Sequence, residues 1–171
     1  MSMNALLIEQ DAEDAKLAFG VHQNSSLRQI RLVRAKMAST LRPESADDPL
    51  EIVFQHKSKQ VDSPPKCFRV SVVFKMNGKR EGDDAVPVSV ECDFEADYEL
   101  ADGFTLSPEA ARAFKDGNAV FNMWPYFREY LQSSLQRMGL PTLTAPFLRL
   151  QPKPRKQAAR ATVPAADSSQ P

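Results

Sequence analysis

Catalytic equipment is scarce in this chain of 171 residues. Its two cysteines and two histidines (Cys67, Cys92, His22, His56) lie in separate segments, with no CxxC spacing. A structural zinc site takes about four Cys or His ligands, usually in close pairs, so no metal site is expected. Six glycines, none in a phosphate-cradling motif, and the lack of a nucleophile elbow argue against an enzyme and against any cofactor. Two sparse thiols fit a reducing compartment better than a disulfide framework, the alternative being a bridge between neighbouring strands. No apolar run approaches the ~18 residues of a membrane helix. The acidic start, with Glu9, Asp11, Glu13 and Asp14, lacks the basic and apolar regions of a signal peptide. A soluble cytoplasmic protein without direct membrane insertion is therefore expected. Its 22 basic residues balance 22 acidic ones, which removes any general argument for nucleic-acid binding.

What the chain does hold is alternation. Leu50, Ile52 and Phe54 alternate with Glu51 and Gln55. From Cys67 to Met76, Phe68, Val70, Val72, Phe74 and Met76 share one face, and Arg69, Ser71 and Lys75 the other. From Val86 to Ala96, Val86, Val88, Val90, Cys92, Phe94 and Ala96 point one way, while Ser89, Glu91, Asp93, Glu95 and Asp97 point the other. Period-two patterning with one polar face predicts antiparallel strands covered on one side only. Asn77-Gly78 is read as the opening of a turn that joins the last two strands. The acidic row is weighed as a cation or acid–base site, but same-face carboxylates with nothing to bury them read as a solvated face paired with Arg69 and Lys75. The segment Leu27–Ala38, with Arg28, Arg31, Arg34 and Lys36, fits a helix or a strand by spacing alone.

Helices follow. Ser107-Pro108-Glu109 carries an N-cap, a first-turn proline and an acid, and this helix is expected to stop near Asp116-Gly117, with Asn118 capping the next. Val120, Met123, Trp124, Phe127, Tyr130, Leu131, Leu135 and Met138 then fall at three- and four-residue steps, an amphipathic stripe that suits the bare sheet face. Pro125 is expected to kink that helix or begin its regular part. Gly139 and Pro141 end it. An apolar loop reaches Leu150.

The run Trp124-Pro125-Tyr126-Phe127-Arg128-Glu129, preceded by Gly117-Asn118-Ala119-Val120-Phe121 and followed by Gly139, Pro141, Leu143 and Pro146, resembles the SecB family of protein-export chaperones. The resemblance implies an α+β fold, a four-stranded antiparallel sheet with helices packed on one face, and it makes the basic segment strand one of four. On this reading residues 1–26 form a partly flexible N-terminal extension, 27–150 a SecB-like chaperone domain, and 151–171 a disordered basic tail. The resemblance also implies an ATP-independent holdase, a homotetramer built as a dimer of dimers, that binds unfolded or partly folded polypeptides. Trp124, Tyr126, Leu140, Leu143 and Phe147 are the expected client groove, and Phe127, Tyr130 and Leu131 the expected core or subunit interface. Two departures stand out. QPKPRKQAAR, from Gln151 to Arg160, cannot form the family's second C-terminal helix, so the groove must be framed differently. The arginines of the first strand disfavour docking to the SecA motor, which the family meets with acidic groups. A dedicated antitoxin chaperone needs no motor and is the alternative role; an adaptor for one folded partner is another. Nucleic-acid binding through the basic strand and tail is the weakest reading.

Overall fold

The computed structural model describes residues 6–42, 49–80, 82 and 85–153. Four strands form the main sheet: β2 (Ser25–Ser39), β3 (Leu50–Val61), β4 (Cys67–Arg80) and β5 (Val88–Leu100). All pairings are antiparallel, in the spatial order β2-β5-β4-β3. Only β3 to β5 are neighbours in chain order. The first strand pairs with the last, and the charges match across that pair: Arg28, Arg31 and Arg34 on β2 meet Glu99, Glu95 and Glu91 on β5. Cross-strand opposite charges favour register by roughly 0.2–1 kcal/mol per pair.

The alternation places the core as expected. Phe68, Val70, Val72, Phe74 and Met76 of β4 and Val88, Val90, Cys92, Phe94 and Ala96 of β5 are all buried. Val86 is not; it lies exposed before β5 begins. Phe74 is the centre of an aromatic cluster, stacked on Phe127 at 5.1 Å and edge-on to Trp124 at 5.5 Å. Phe68, Tyr98 and Phe114 make a second cluster nearer the end of β5. Cys67 and Cys92 are free thiols. Their partners across the ladder are Glu99 and Phe74, so they sit about 23 Å apart along the strands at the usual rise. Burial, helped by Glu91, pushes the Cys92 thiol up to about 12.

Three local expectations change. Asn77-Gly78 is not a turn: β4 runs on to Arg80, because the inward-facing Gly78 leaves room for Leu50, Ile52 and Val88. Of the four residues beyond it, 81–84, only Gly82, at φ +74°, is described. The helix α2 (Pro108–Phe114), capped by the Ser107 hydroxyl accepting from the Ala110 N–H at 3.1 Å, does not stop at Gly117. A π-helical turn, Lys115–Ala119, carries it without a break into α3 (Val120–Arg137). Asn118 therefore caps nothing. Pro125 lies inside α3 rather than at its start, on the exposed side.

The N-terminal stretch, read from sequence as a peripheral extension, contributes to the core. Leu6–Gln10 is a strand, β1, and Ala12–Gln23 a helix, α1, capped by Asp11. Ile8, Ala18 and Val21 are buried, and the Arg112 guanidinium pairs with Asp14 at 2.8 Å to join α1 to α2. The short α1 has a weak apolar stripe, which is why its packing is hard to see in the sequence. After the apolar loop, the chain enters β6 (Leu148–Pro152), which pairs in parallel with β1 from Leu6↔Leu148 to Gln10↔Pro152. Gln151 and Pro152, assigned from sequence to the tail, belong to this strand; the rest of the tail from residue 154 and the loop at 43–48 lie outside the described residues.

Candidate functional site

The site is built from the C-terminal end of α3 and the loop beyond it. Gly139, at φ +70°, supplies the left-handed turn that stops the helix. Its N–H donates to the Gln136 carbonyl at 3.0 Å, and the Leu140 N–H to the Leu135 carbonyl at 3.0 Å. These two bonds are a complete Schellman motif, which satisfies the last carbonyls and sends the chain back along the helix.

Two side chains of α3 hold the returning loop. The Trp124 indole N–H donates to the Pro146 carbonyl at 2.9 Å, and the Arg128 Nε–H to the Ala145 carbonyl at 3.0 Å. Trp124 and Arg128 are four residues apart, hence neighbours on one helix face. Arg128 also lies over the Phe147 ring, 4.7 Å from its centroid, a cation–π contact worth roughly 0.5–1 kcal/mol at an exposed site. Ala145 is buried beneath this arrangement, while Phe147 is 69% exposed. The helix therefore fixes the loop backbone and presents one aromatic ring to solvent.

The groove residues expected from sequence separate into three groups. Phe147 is exposed, and Leu140 and Leu143 are half-buried at the edge of the core; these three share the loop. Trp124 is a correction: at 4% exposure it packs against Phe54 and Phe74, and it acts on the surface only through its bond to Pro146. Tyr126 is 48% exposed but stands two residues from both Trp124 and Arg128. That is about 200° of helical rotation, so it faces away from the loop. Phe127 and Leu131 are fully buried within this chain, and Tyr130 is half-buried. Sequence reasoning left out Phe121, 46% exposed and seven residues from Arg128, which puts both on nearly the same face. The break in the apolar stripe at Phe121 was the signal that marked it as outward.

A second apolar surface lies at the β2 edge of the sheet. Leu27, Leu32 and Met37 of β2 stand opposite Tyr98, Phe94 and Val90 on the inner face, yet they are 42–45% exposed: among the described residues nothing covers them fully. Val33, at one of the two register shifts of β2, is also exposed.

The outer face of the sheet is charge-compensated. Asp97 accepts from Arg69 through both oxygens and from the Gln29 amide at 2.9 Å. The guanidinium holds its carboxyl below the usual range, with Gln29 adding to the effect against partial burial. Asp93 accepts from Ser71 at 2.8 Å, and Glu95 from Arg31. The acidic row weighed as a cation or acid–base site is thus engaged by the neighbouring strands. Among the described residues, no three His, Cys, Asp or Glu side chains converge as a metal site would need, and no helix is long and apolar enough to cross a membrane.

No protein-family model and no curated protein sequence matches the chain. Among solved structures, it resembles the SecB-like chaperone of Mycobacterium tuberculosis in complex with a ChAD peptide from the HigA1 antitoxin. The TM-score is 0.66 at 20% identity, over 80% of this chain and 99% of that one. A protein of unknown function from Streptococcus agalactiae also aligns, at TM-score 0.45 and 9% identity over 72% of this chain and 97% of that one. A four-stranded antiparallel sheet, helices on one face and the 0.66 overlay lead to one conclusion about architecture: the chain has the SecB-like chaperone fold.

Proposed function

We propose that the protein is an ATP-independent holdase that binds extended, apolar segments of non-native polypeptides across the loop Leu140–Phe147 and the adjoining face of α3. The observation that carries this reading is Phe147, a bare aromatic ring on a backbone pinned by Trp124 and Arg128. Each client side chain buried there contributes about 1.5–3 kcal/mol, against roughly 1–2 kcal/mol for fully fixing one client residue. Binding of this kind works through many partial contacts and linked sites. Assembly of several copies supplies such linkage. The uncovered β2, with Leu27, Leu32, Val33 and Met37 exposed, and the exposed Phe121 and Tyr126 on α3 support a homotetramer.

A dedicated antitoxin chaperone fits better than an export chaperone. The solved relative is described with an antitoxin peptide, and the arginines of β2 neutralise the acidic row that a motor such as SecA would meet. The test is suppression of aggregation of a chemically unfolded client without ATP, alongside titration with antitoxin-derived peptides. The expected result is suppression by the native chain and loss of it in a folded Leu143→Asp, Phe147→Asp variant. No suppression and no peptide binding by the native chain would overturn the reading, whereas full activity in the variant would move the site elsewhere.

A further inference from the structure

The β1–β6 pair is an unusual element. Two-stranded sheets are marginal by themselves, and parallel pairing is normally found well buried between helices. Here five residues from each end of the domain pair in parallel, with the Leu6 N–H donating to the Phe147 carbonyl at 3.0 Å and the Lys153 N–H to the Gln10 carbonyl at 2.7 Å. Beyond its backbone, β1 is held by alternate side chains only. Ile8 and Gln10 are buried and Leu6 is half-buried, while Leu7 and Glu9 face solvent. Gln10 enters a specific slot: its side-chain N–H donates to the Ala113 carbonyl at 3.0 Å, and its amide lies where a Cβ on residue 117 would be. Gly117, in the π-helical turn, is what leaves that space.

The strand is also mechanically separate from the helix after it. Asp11 is extended, at φ −71° and ψ 166°, and caps α1 with its own carboxylate through the Asp14 N–H at 2.8 Å. Ala18, Val21 and the Arg112–Asp14 pair then fix α1 to the body. Removal of β1 from β6 would leave the helix capped and packed. It would uncover Leu148, Leu150, the Ala113 carbonyl and the Gly117 slot, directly beside the exposed ring of Phe147.

We infer that the edge of β6 and the Gly117 slot form a strand-addition site, which β1 occupies in cis and surrenders to an extended segment of the pattern apolar-x-apolar-x-amide. The chemistry of the occupant is read from β1 itself: Leu6 and Ile8 fill the apolar positions and Gln10 the slot. Strand addition supplies affinity through main-chain bonds and selects through alternate side chains. That the incoming strand comes from a client rests on the chaperone reading; the exchange itself does not.

The experiment uses the full chain with Leu7→Cys and Arg149→Cys, facing exposed positions on β1 and β6, in a Cys67→Ser background. The probe is a fluorescent synthetic peptide, NALLIEQDA, the sequence of residues 4–12. Reduced protein is expected to bind it, oxidised protein to lose binding, and reduction to restore it. The same peptide with alanine for its glutamine is expected to bind about fivefold more weakly, the equivalent of one hydrogen bond. In the otherwise native chain, Gln10→Ala weakens the strap and is expected to strengthen binding of the unmodified peptide. Equal binding by oxidised and reduced protein, or no binding by either or by the Gln10→Ala chain, overturns the exchange. Aggregation suppression measured on the same samples separates the two ideas: suppression without peptide exchange leaves the chaperone reading standing, and exchange without suppression leaves only the strand-addition site.

Discussion

Trp124 shows how one residue type serves a purpose that its sequence neighbourhood only half declares. The family resemblance sets Trp124 in the client groove, while its place in the apolar stripe suits core; its ring is buried and only its N–H reaches the loop. Trp124→Phe keeps most of the packing and removes the donor. The expected outcome is a loss of about 0.5–1.5 kcal/mol in denaturant stability, with faster hydrogen exchange at Leu143–Phe147. Asp97 carries a second residue-scale prediction. Its folded pKa is depressed by Arg69, so the unfolded chain binds more protons near the ordinary value of 3.8, and stability rises with pH through that region. The stabilisation is present above 3.8 and is lost as pH falls through the lower folded value. Urea midpoints measured against pH are expected to show a shallower acid decline for Asp97→Asn than for the native chain.

At the scale of elements, periodicity separated strands from helices correctly because each element buries one face against a single partner layer. It failed where that condition fails. The Arg-rich β2 is mostly exposed, with Ile30 its one apolar residue packed on the core, and two register shifts break its alternation, so its spacing is irregular and its type undecided until a pairing partner is known. Gly117 reads as a helix stop because glycine usually ends helices; here its missing side chain admits Gln10, and the helix continues. Gly139 is the true stop, since its φ of +70° and the two bonds that close the Schellman motif require a left-handed residue. Gly139→Ala is expected to cost roughly 1–2 kcal/mol, read as a lowered urea midpoint. Gly117→Ala is expected to displace Gln10 without ending the helix, observable as lost protection of the Lys153 amide.

For the whole molecule, the distribution of exposed apolar surface is the feature with consequences. Phe147 and Phe121 lie along one side of α3 and its loop, while Leu27, Leu32, Val33 and Met37 lie on β2. An open edge strand this long, apolar on the inner face, is a site of pairing with another copy or a liability. Light scattering of the native chain is expected to give the mass of four copies. Leu32→Asp with Met37→Asp, at positions that pack little within one chain, is expected to lower that mass without unfolding it, as judged by circular dichroism. A monomeric native chain would refute the assembly and leave avidity to be supplied by the client.

The sequence by itself determined the α+β class, the inward faces of β4 and β5, the cap at Ser107 and the end of α3, because each depends on contacts or dihedral demands a few residues apart. It also marked the loop after Gly139 as apolar surface in search of use. Tertiary structure alone decided that β2 crosses to pair with β5 and that the Trp124 ring is buried while its N–H holds the loop at Pro146. It likewise brought β1, some 140 residues away in the chain, to frame β6. Those outcomes turn on which distant groups meet: an acidic row with an arginine row, an indole with a carbonyl, and a glutamine with the space left by a glycine.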